Sequence, residues 1–314
     1  MTAVLDPLPC APSVEWNSAG HPFFVVGVQR SGTTMLRLML NRHPEIAIPF
    51  ETGFIAHFYH RLHEYGDLSR VDNARRLLDD ICAFWQIADR GKWIKDTEGI
   101  LAQPIRTYRD LVHAIFMSHA RARGKSRWGD KTAGQEASLD ILWKVFPECR
   151  IVHLVRDGRD VALSNRRVSW GIPNLPRAAR DWRWKVTLAR KIGSVLGEHY
   201  HEVKYEDLVR SPAATLSRIC AFIDVQYDES MLKYHESAAR EMPDVSLSWH
   251  RNSVRAPDGS LVYEWKRRMS LADRIIFDQV AGDALELMGY EREQHPSTLG
   301  SRAMNFYYAN FQRW

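Results

Sequence analysis

Residues 23–36, Phe-Phe-Val-Val-Gly-Val-Gln-Arg-Ser-Gly-Thr-Thr-Met-Leu, constrain this chain more than any other stretch. The apolar run before Gly27 is short and β-prone, as a central parallel strand requires. Gly27 and Gly32 permit a tight turn in which backbone N–H groups converge on one point. Ser31, Thr33 and Thr34 add hydroxyls at the start of a helix, where the macrodipole favours an anion. The outline is that of a P-loop: glycine, four residues, glycine. Thr33 stands after the second glycine, in place of the lysine that a nucleoside triphosphatase uses, and the cation is Arg30, inside the loop. The pattern predicts a cradle for phosphate other than the γ-phosphate of ATP.

The rest of the chain alternates strand and helix signals. A helix is predicted over residues 33–41, with Leu36, Met39 and Leu40 on its buried face, ending before Pro44. Residues 46–49 read as a short second strand. Residues 55–122 read as mainly helical, broken near Gly66 and at Gly91, and residues 128–132 as a turn opening another helix. Residues 149–155 and 201–205 read as further strands, the first followed by a helix near Val161. This order predicts an α/β fold: a P-loop-like parallel sheet with helices on both faces and a helical insertion, residues 55–122, over the active site. Residues 1–20, Pro-rich and polar, read as a loose arm before a single domain over 21–314.

Composition narrows the function classes. The apolar share of 45% and charged share of 26% are ordinary for a globular protein. A net charge of +5 without a dense basic run suits a small polyanion and argues against nucleic acid. Cys10, Cys82, Cys149 and Cys220 form no CxxC pair, which speaks against a zinc site or a disulfide framework and fits a reduced, cytoplasmic setting. No signal peptide and no membrane span are read. His57, His60 and His63 drift around a helix and do not converge on one metal ion.

Three segments in order resemble the sulfotransferases that use 3′-phosphoadenosine-5′-phosphosulfate (PAPS). The loop at residues 27–34 resembles the family's 5′-phosphosulfate loop. Residues 155–164, Val-Arg-Asp-Gly-Arg-Asp-Val-Ala-Leu-Ser, resemble its 3′-phosphate element, with Arg156 and Ser164 as the binding pair. Residues 203–208 resemble its strand-end tyrosine-acidic motif, which includes Tyr205. A guanidinium at a strand's C-terminal end is also well placed to fork onto phosphate on physical grounds alone. Arg159 reads either as an acid's partner or as solvent-facing. The resemblance is to the branch that includes the tyrosylprotein sulfotransferases and many bacterial enzymes, which share Arg-Ser-Gly-Thr-Thr in the loop and a glutamate shortly after its helix.

The resemblance implies that Glu51 is the general base, with His57 the other candidate, and that Lys131 contacts the transferring group; an ion pair with Asp130 is the alternative for Lys131. Arg30, Ser31, Gly32, Thr33 and Thr34 would hold the donor. Ser253, Arg255 and Trp265 resemble the last donor-covering segment. Trp128 is read as stacking on adenine or as core. Phe50 and Phe54 beside Glu51 suggest a raised pKa suited to base work. Thr52, Gly53 and Phe54 stand where the tyrosylprotein enzymes carry arginines, which weakens a peptide acceptor. His57, Trp85 and Trp93 suggest a small-molecule, glycan or lipid hydroxyl as acceptor, with Trp170, Trp182 and Trp184 read either as lining that cleft or as core. The expected reaction is sulfuryl transfer from PAPS, releasing adenosine 3′,5′-bisphosphate (PAP), with no metal required. A peptide-directed tyrosylprotein sulfotransferase, a P-loop kinase using ATP and magnesium, and a non-catalytic nucleotide-binding module are the rival readings.

Overall fold

The computed structural model describes residues 21–89 and 93–293. The N-terminal arm, the break at Gly91 and the last residues of the expected domain lie outside them. Five strands form one parallel sheet: β1 (Phe23–Val26), β2 (Ile46–Ala47), β3 (Arg127–Lys131), β4 (Arg150–Val155) and β5 (Tyr200–Lys204). Their order is β2-β3-β1-β4-β5. The chain therefore fills one side of β1 before crossing to the other, and the crevice for a ligand lies outside the C-terminal ends of the strands at that switch.

The alternation of side chains along β1 sorts the core into layers. Phe24 and Val26 face the helices Val71–Ala83, Tyr108–Arg121 and Leu139–Val145. Phe23 and Val25 face the helices Thr33–Arg42 and Pro212–Phe222. A third cluster, around Val155, joins the helices Gly158–Asn165, Leu175–Leu196 and Leu271–Leu287. The predicted parallel sheet with helices on both faces is thus the observed one. Segment 55–122 is helical and packs mainly on the first of these faces, reaching the ligand crevice through Gln86. No described helix is long and apolar enough to cross a membrane.

The strand β3 corrects the sequence reading, which took residues 128–132 for a turn leading into a helix. Gly129 pairs with Phe23 of β1, and a Cβ there would lie 2.5 Å from the Phe23 ring. The segment lacks the β-branched residues that mark a strand because its polar side chains have tertiary partners. Arg127 donates to the His21 carbonyl at 2.8 Å, and Asp130 accepts from Thr52 Oγ1 at 3.0 Å. Strand geometry is what delivers Lys131 to the C-terminal edge of the sheet.

Candidate active site

The loop after β1 is shaped by contacts that only glycine allows. A Cβ on Gly27 would sit 2.5 Å from the Leu154 carbonyl oxygen. Gly32 has φ 96°, and a Cβ on it would lie 2.4 Å from the Tyr205 ring. Arg30 itself takes a left-handed conformation, φ 73°, an arrangement that side-chain-bearing residues adopt at a cost and that clusters at functional sites. Thr33 and Thr34 then open the helix Thr33–Arg42, with Gly32 as its N-cap. Ser31 Oγ is buried with no hydrogen-bond partner among the described residues.

Arg156 extends from the end of β4, its carbonyl fixed by Trp182 Nε1 at 3.1 Å. Its guanidinium lies over the Tyr205 ring, 4.4 Å from the centroid, and donates to the carbonyls of Arg30 (3.3 Å) and Leu261 (3.1 Å). Its Nε is buried and finds no partner among the described residues. Ser164, on the helix Gly158–Asn165, accepts from Arg30 Nε at 3.1 Å, and Arg30 also donates to the Trp249 carbonyl at 2.9 Å. Burial, and then the neighbouring Arg156, pull the Arg30 guanidinium down to about 10.

Glu51 follows β2 in another left-handed conformation, φ 32°. Lys131 at the end of β3 donates to Glu51 Oε1 at 2.9 Å and to Thr34 Oγ1 at 3.3 Å. Its ammonium lies 5.0 Å from the Phe50 ring centroid. The ion pair of Lys131 is therefore with Glu51; its chain neighbour Asp130 points to Thr52 instead, as alternation along a strand requires. Burial pulls Lys131 below the ordinary lysine range and raises Asp130 to about 6.

These residues line one cleft of about 430 Å³ at the C-terminal edge of the sheet. Arg30, Gly32, Thr33, Thr34, Glu51, Arg156, Ser164, Tyr205 and Ser253 all line it, with Ser31 and Lys131 immediately behind. Four sequence candidates lie elsewhere. Arg255 is exposed and outside the cleft lining, and its carbonyl accepts from the Tyr234 hydroxyl. His57 is exposed and stacks on Phe84 with ring centroids 4.8 Å apart. Trp85 is half-exposed beside Phe84, and Trp93 packs on Phe116 at 5.4 Å. None of these three rings lines the cleft.

The remaining alternatives also resolve. Trp128 is core, stacked on Phe116 at 4.5 Å. Trp265 is core as well: its Nε1 donates to Asp157 at 3.0 Å and the Arg159 guanidinium covers its ring at 3.5 Å. Arg159 is thereby the buried bidentate partner of Asp157, at 3.0 and 2.9 Å. Trp182 is buried, Trp184 is exposed away from the cleft, and Trp170 lines the cleft.

Sequence reasoning missed Gln29, Gln86, Arg167 and His250 as lining residues. His250 is driven down to about 3 by burial and by the cations Lys131 and Arg30, so it is a neutral imidazole at neutral pH. Its ring meets Phe50 edge-on at 6.1 Å. Its place in the run of residues 249–255, three residues before Ser253, was its signal in the sequence.

The family model for the sulfotransferase family matches residues 22–229. A putative protein-tyrosine sulfotransferase of Caenorhabditis briggsae is 24% identical over 243 residues, covering 74% of this chain and 76% of that protein. The nodulation protein NoeE of Sinorhizobium fredii is 25% identical over 305 residues, covering 88% of this chain and 68% of its own length. Among solved structures, the sulfotransferase domain from the Synechococcus PCC 7002 olefin synthase superposes with a TM-score of 0.59 at 24% identity, covering 87% of this chain and 96% of that one. The sulfotransferase domain from the curacin biosynthetic pathway gives 0.57 at 18%, covering 87% and 99%. The chain belongs to the sulfotransferase family, and it is a sulfotransferase enzyme.

Proposed function

We propose that this protein transfers a sulfuryl group from PAPS to a hydroxyl of a small-molecule, glycan or lipid acceptor. The observation that carries the reading is the line Glu51–Lys131–Thr34, in which a carboxylate and a buried ammonium meet the hydroxyl-rich start of a helix. The cleft fits a donor with two anionic ends. Gly27 and Gly32 keep the loop backbone open where a Cβ would collide, and Ser31 Oγ and Arg156 Nε are buried donors without a partner among the described residues. Residues 30–34 and Lys131 would hold the 5′-phosphosulfate, and Arg156 and Ser164 the 3′-phosphate.

The donor supplies a sulfuryl group whose bond to the 5′-phosphate oxygen breaks as the acceptor oxygen bonds to sulfur, leaving PAP. Glu51 takes the proton from the acceptor hydroxyl. Lys131 orients the Glu51 carboxylate and, with Arg30, places fixed positive charge beside the loop where negative charge grows. Positioning and electrostatics of this kind supply most of the acceleration in the related phosphoryl transfers.

Two features favour a compact acceptor over an acidic peptide. No cation follows Glu51: Thr52 is tied to Asp130, and Gly53 packs so closely on Gln86 that a Cβ there would overlap its amide. Arg167, at the cleft, is already paired with Glu264 at 2.8 Å. Calorimetry with PAP in the presence of a metal chelator is expected to show binding. Mass spectrometry after incubation with PAPS and a panel of hydroxyl acceptors is expected to show a sulfate addition. Binding of ATP alone, and only with magnesium, would overturn the reading in favour of a kinase; PAP binding without turnover of any acceptor would favour a non-catalytic module.

A further inference from the structure

Gln29 lies in the donor loop, yet its side chain is turned to the side of β3 rather than to Arg156. It packs over Gly134, where a Cβ would come within 2.2 Å of Gln29 Nε2. Gly134, three residues after Lys131, donates its backbone N–H to the Gly27 carbonyl at 3.0 Å. The side chain therefore stands on the Glu51–Lys131 side of the loop, beside Thr132 and Ala133, which also line the cleft.

Its orientation is chemically fixed. Lys185, on the helix Leu175–Leu196, places Nζ 2.8 Å from Gln29 Oε1 and 2.8 Å from Asp181 Oδ2. An ammonium only donates, so the amide must turn its oxygen to Lys185 and its NH2 away. Lys185 is 11% exposed and Asp181 29%, so the pair is largely screened from water. Nε2 donates to no protein group among the described residues, while Gln29 lines the cleft.

Resting on the sulfotransferase reading, we propose that Gln29 recognises the acceptor, its amide NH2 donating to an oxygen adjacent to the hydroxyl that is sulfated. Lys185 is the positioning residue and Asp181 holds Lys185. The acceptor class this selects is a vicinal diol or polyol, of which sugars are one kind.

The test compares transfer to cyclohexanol and to trans-cyclohexane-1,2-diol, which differ by one hydroxyl. The full chain is expected to prefer the diol by about tenfold or more in kcat/KM, beyond the factor of about two for its second reactive group, as one unmet amide donor implies. In Gln29→Leu and in Lys185→Met the ratio is expected to collapse towards about two, through KM for the diol rather than through kcat. PAP binding serves as the control for a folded donor site, and if Gln29→Leu fails it, Lys185→Met decides. An undiminished ratio in a variant that binds PAP, a wild-type ratio near two, or transfer to neither alcohol by a chain that binds PAP each overturns the assignment of Gln29. Failure of the wild-type chain to bind PAP overturns the donor reading instead.

Discussion

The two ends of the cleft are built differently. The proposed donor end is made of strand ends and helix starts: the loop after β1, Arg156 after β4 and Tyr205 after β5. Each side chain there is held by the others, with Arg156 between Tyr205 and two carbonyls and Ser164 against Arg30. The proposed acceptor end gathers Gln29, Glu51, Gln86 and Thr132 from separate segments. Trp170, whose ring lies over Arg30, forms the rim of the donor end and is 44% exposed, whereas Arg156 is nearly buried. A rigid anion cradle is common to any acceptor; a mouth assembled from loops can change its contacts without disturbing the cradle.

Four substitutions would break or sharpen that contrast. The largest effect is expected for Glu51→Gln, which removes the proton acceptor and keeps the side chain's size. Turnover should fall by about 10²–10⁴-fold while PAP affinity, measured by calorimetry, stays nearly intact. Near-normal turnover would remove Glu51 from the base role and leave the two ends chemically undivided. Arg156→Ala should act on the donor end alone, weakening PAP by about 10- to 100-fold through lost charge-assisted hydrogen bonds. A loss confined to acceptor KM would mean that the ends have been assigned in reverse.

A third substitution concerns the ground behind the acceptor end. Glu136, in the turn Gln135–Ser138 after β3, is fully buried, and no other described residue hydrogen-bonds its carboxylate. Burial raises it from the ordinary 4.5 to about 7, against the pull of its own backbone N–H and of Lys185, with Asp181 adding to the rise. The folded state therefore binds this proton more tightly than the unfolded state does. Its stabilising contribution is fully present below about 4.5 and is lost as pH rises towards about 7. Glu136→Gln should flatten the fall in Tm across that window and leave the variant the more stable form above it. Parallel Tm profiles for the two proteins would show that Glu136 carries its charge throughout. The smallest effect is expected for Trp170→Ala. Its ring lies over Arg30 with 5.7 Å to the centroid at a half-exposed site. PAP affinity lowered about two- to fivefold should follow, with acceptor KM little changed; an effect confined to acceptor KM would move Trp170 to the acceptor end.

The legibility of the site follows the same division. Gly27, Arg30, Gly32, Thr33 and Thr34 lie within eight residues and depend on local backbone geometry, so one strand-turn-helix pattern was enough to read the loop that the structure sets after β1. Arg156 and Ser164 lie on one strand-helix junction; their pairing was read from the family resemblance, and both line the cleft. The strand β3 was not legible because its residues are stabilised by partners far along the chain, His21 and Thr52 among them. His57, Trp85 and Trp93 were chosen for residue type, and the packing of segment 55–122 on the sheet placed them outside the cleft.

By itself the sequence determined the parallel α/β fold and the glycine-bracketed loop after β1, because strand period, glycine spacing and helix-start hydroxyls act over a few residues, while the family was legible in the resemblance of three segments taken in order. Only the tertiary structure decided that Lys131 pairs with Glu51 rather than Asp130. Only it showed that Arg159 and Trp265 brace each other away from the cleft, and that Gln29 turns its amide towards β3. Those outcomes depend on which strand ends lie side by side, and neighbours in a sheet of order β2-β3-β1-β4-β5 are not neighbours in the chain.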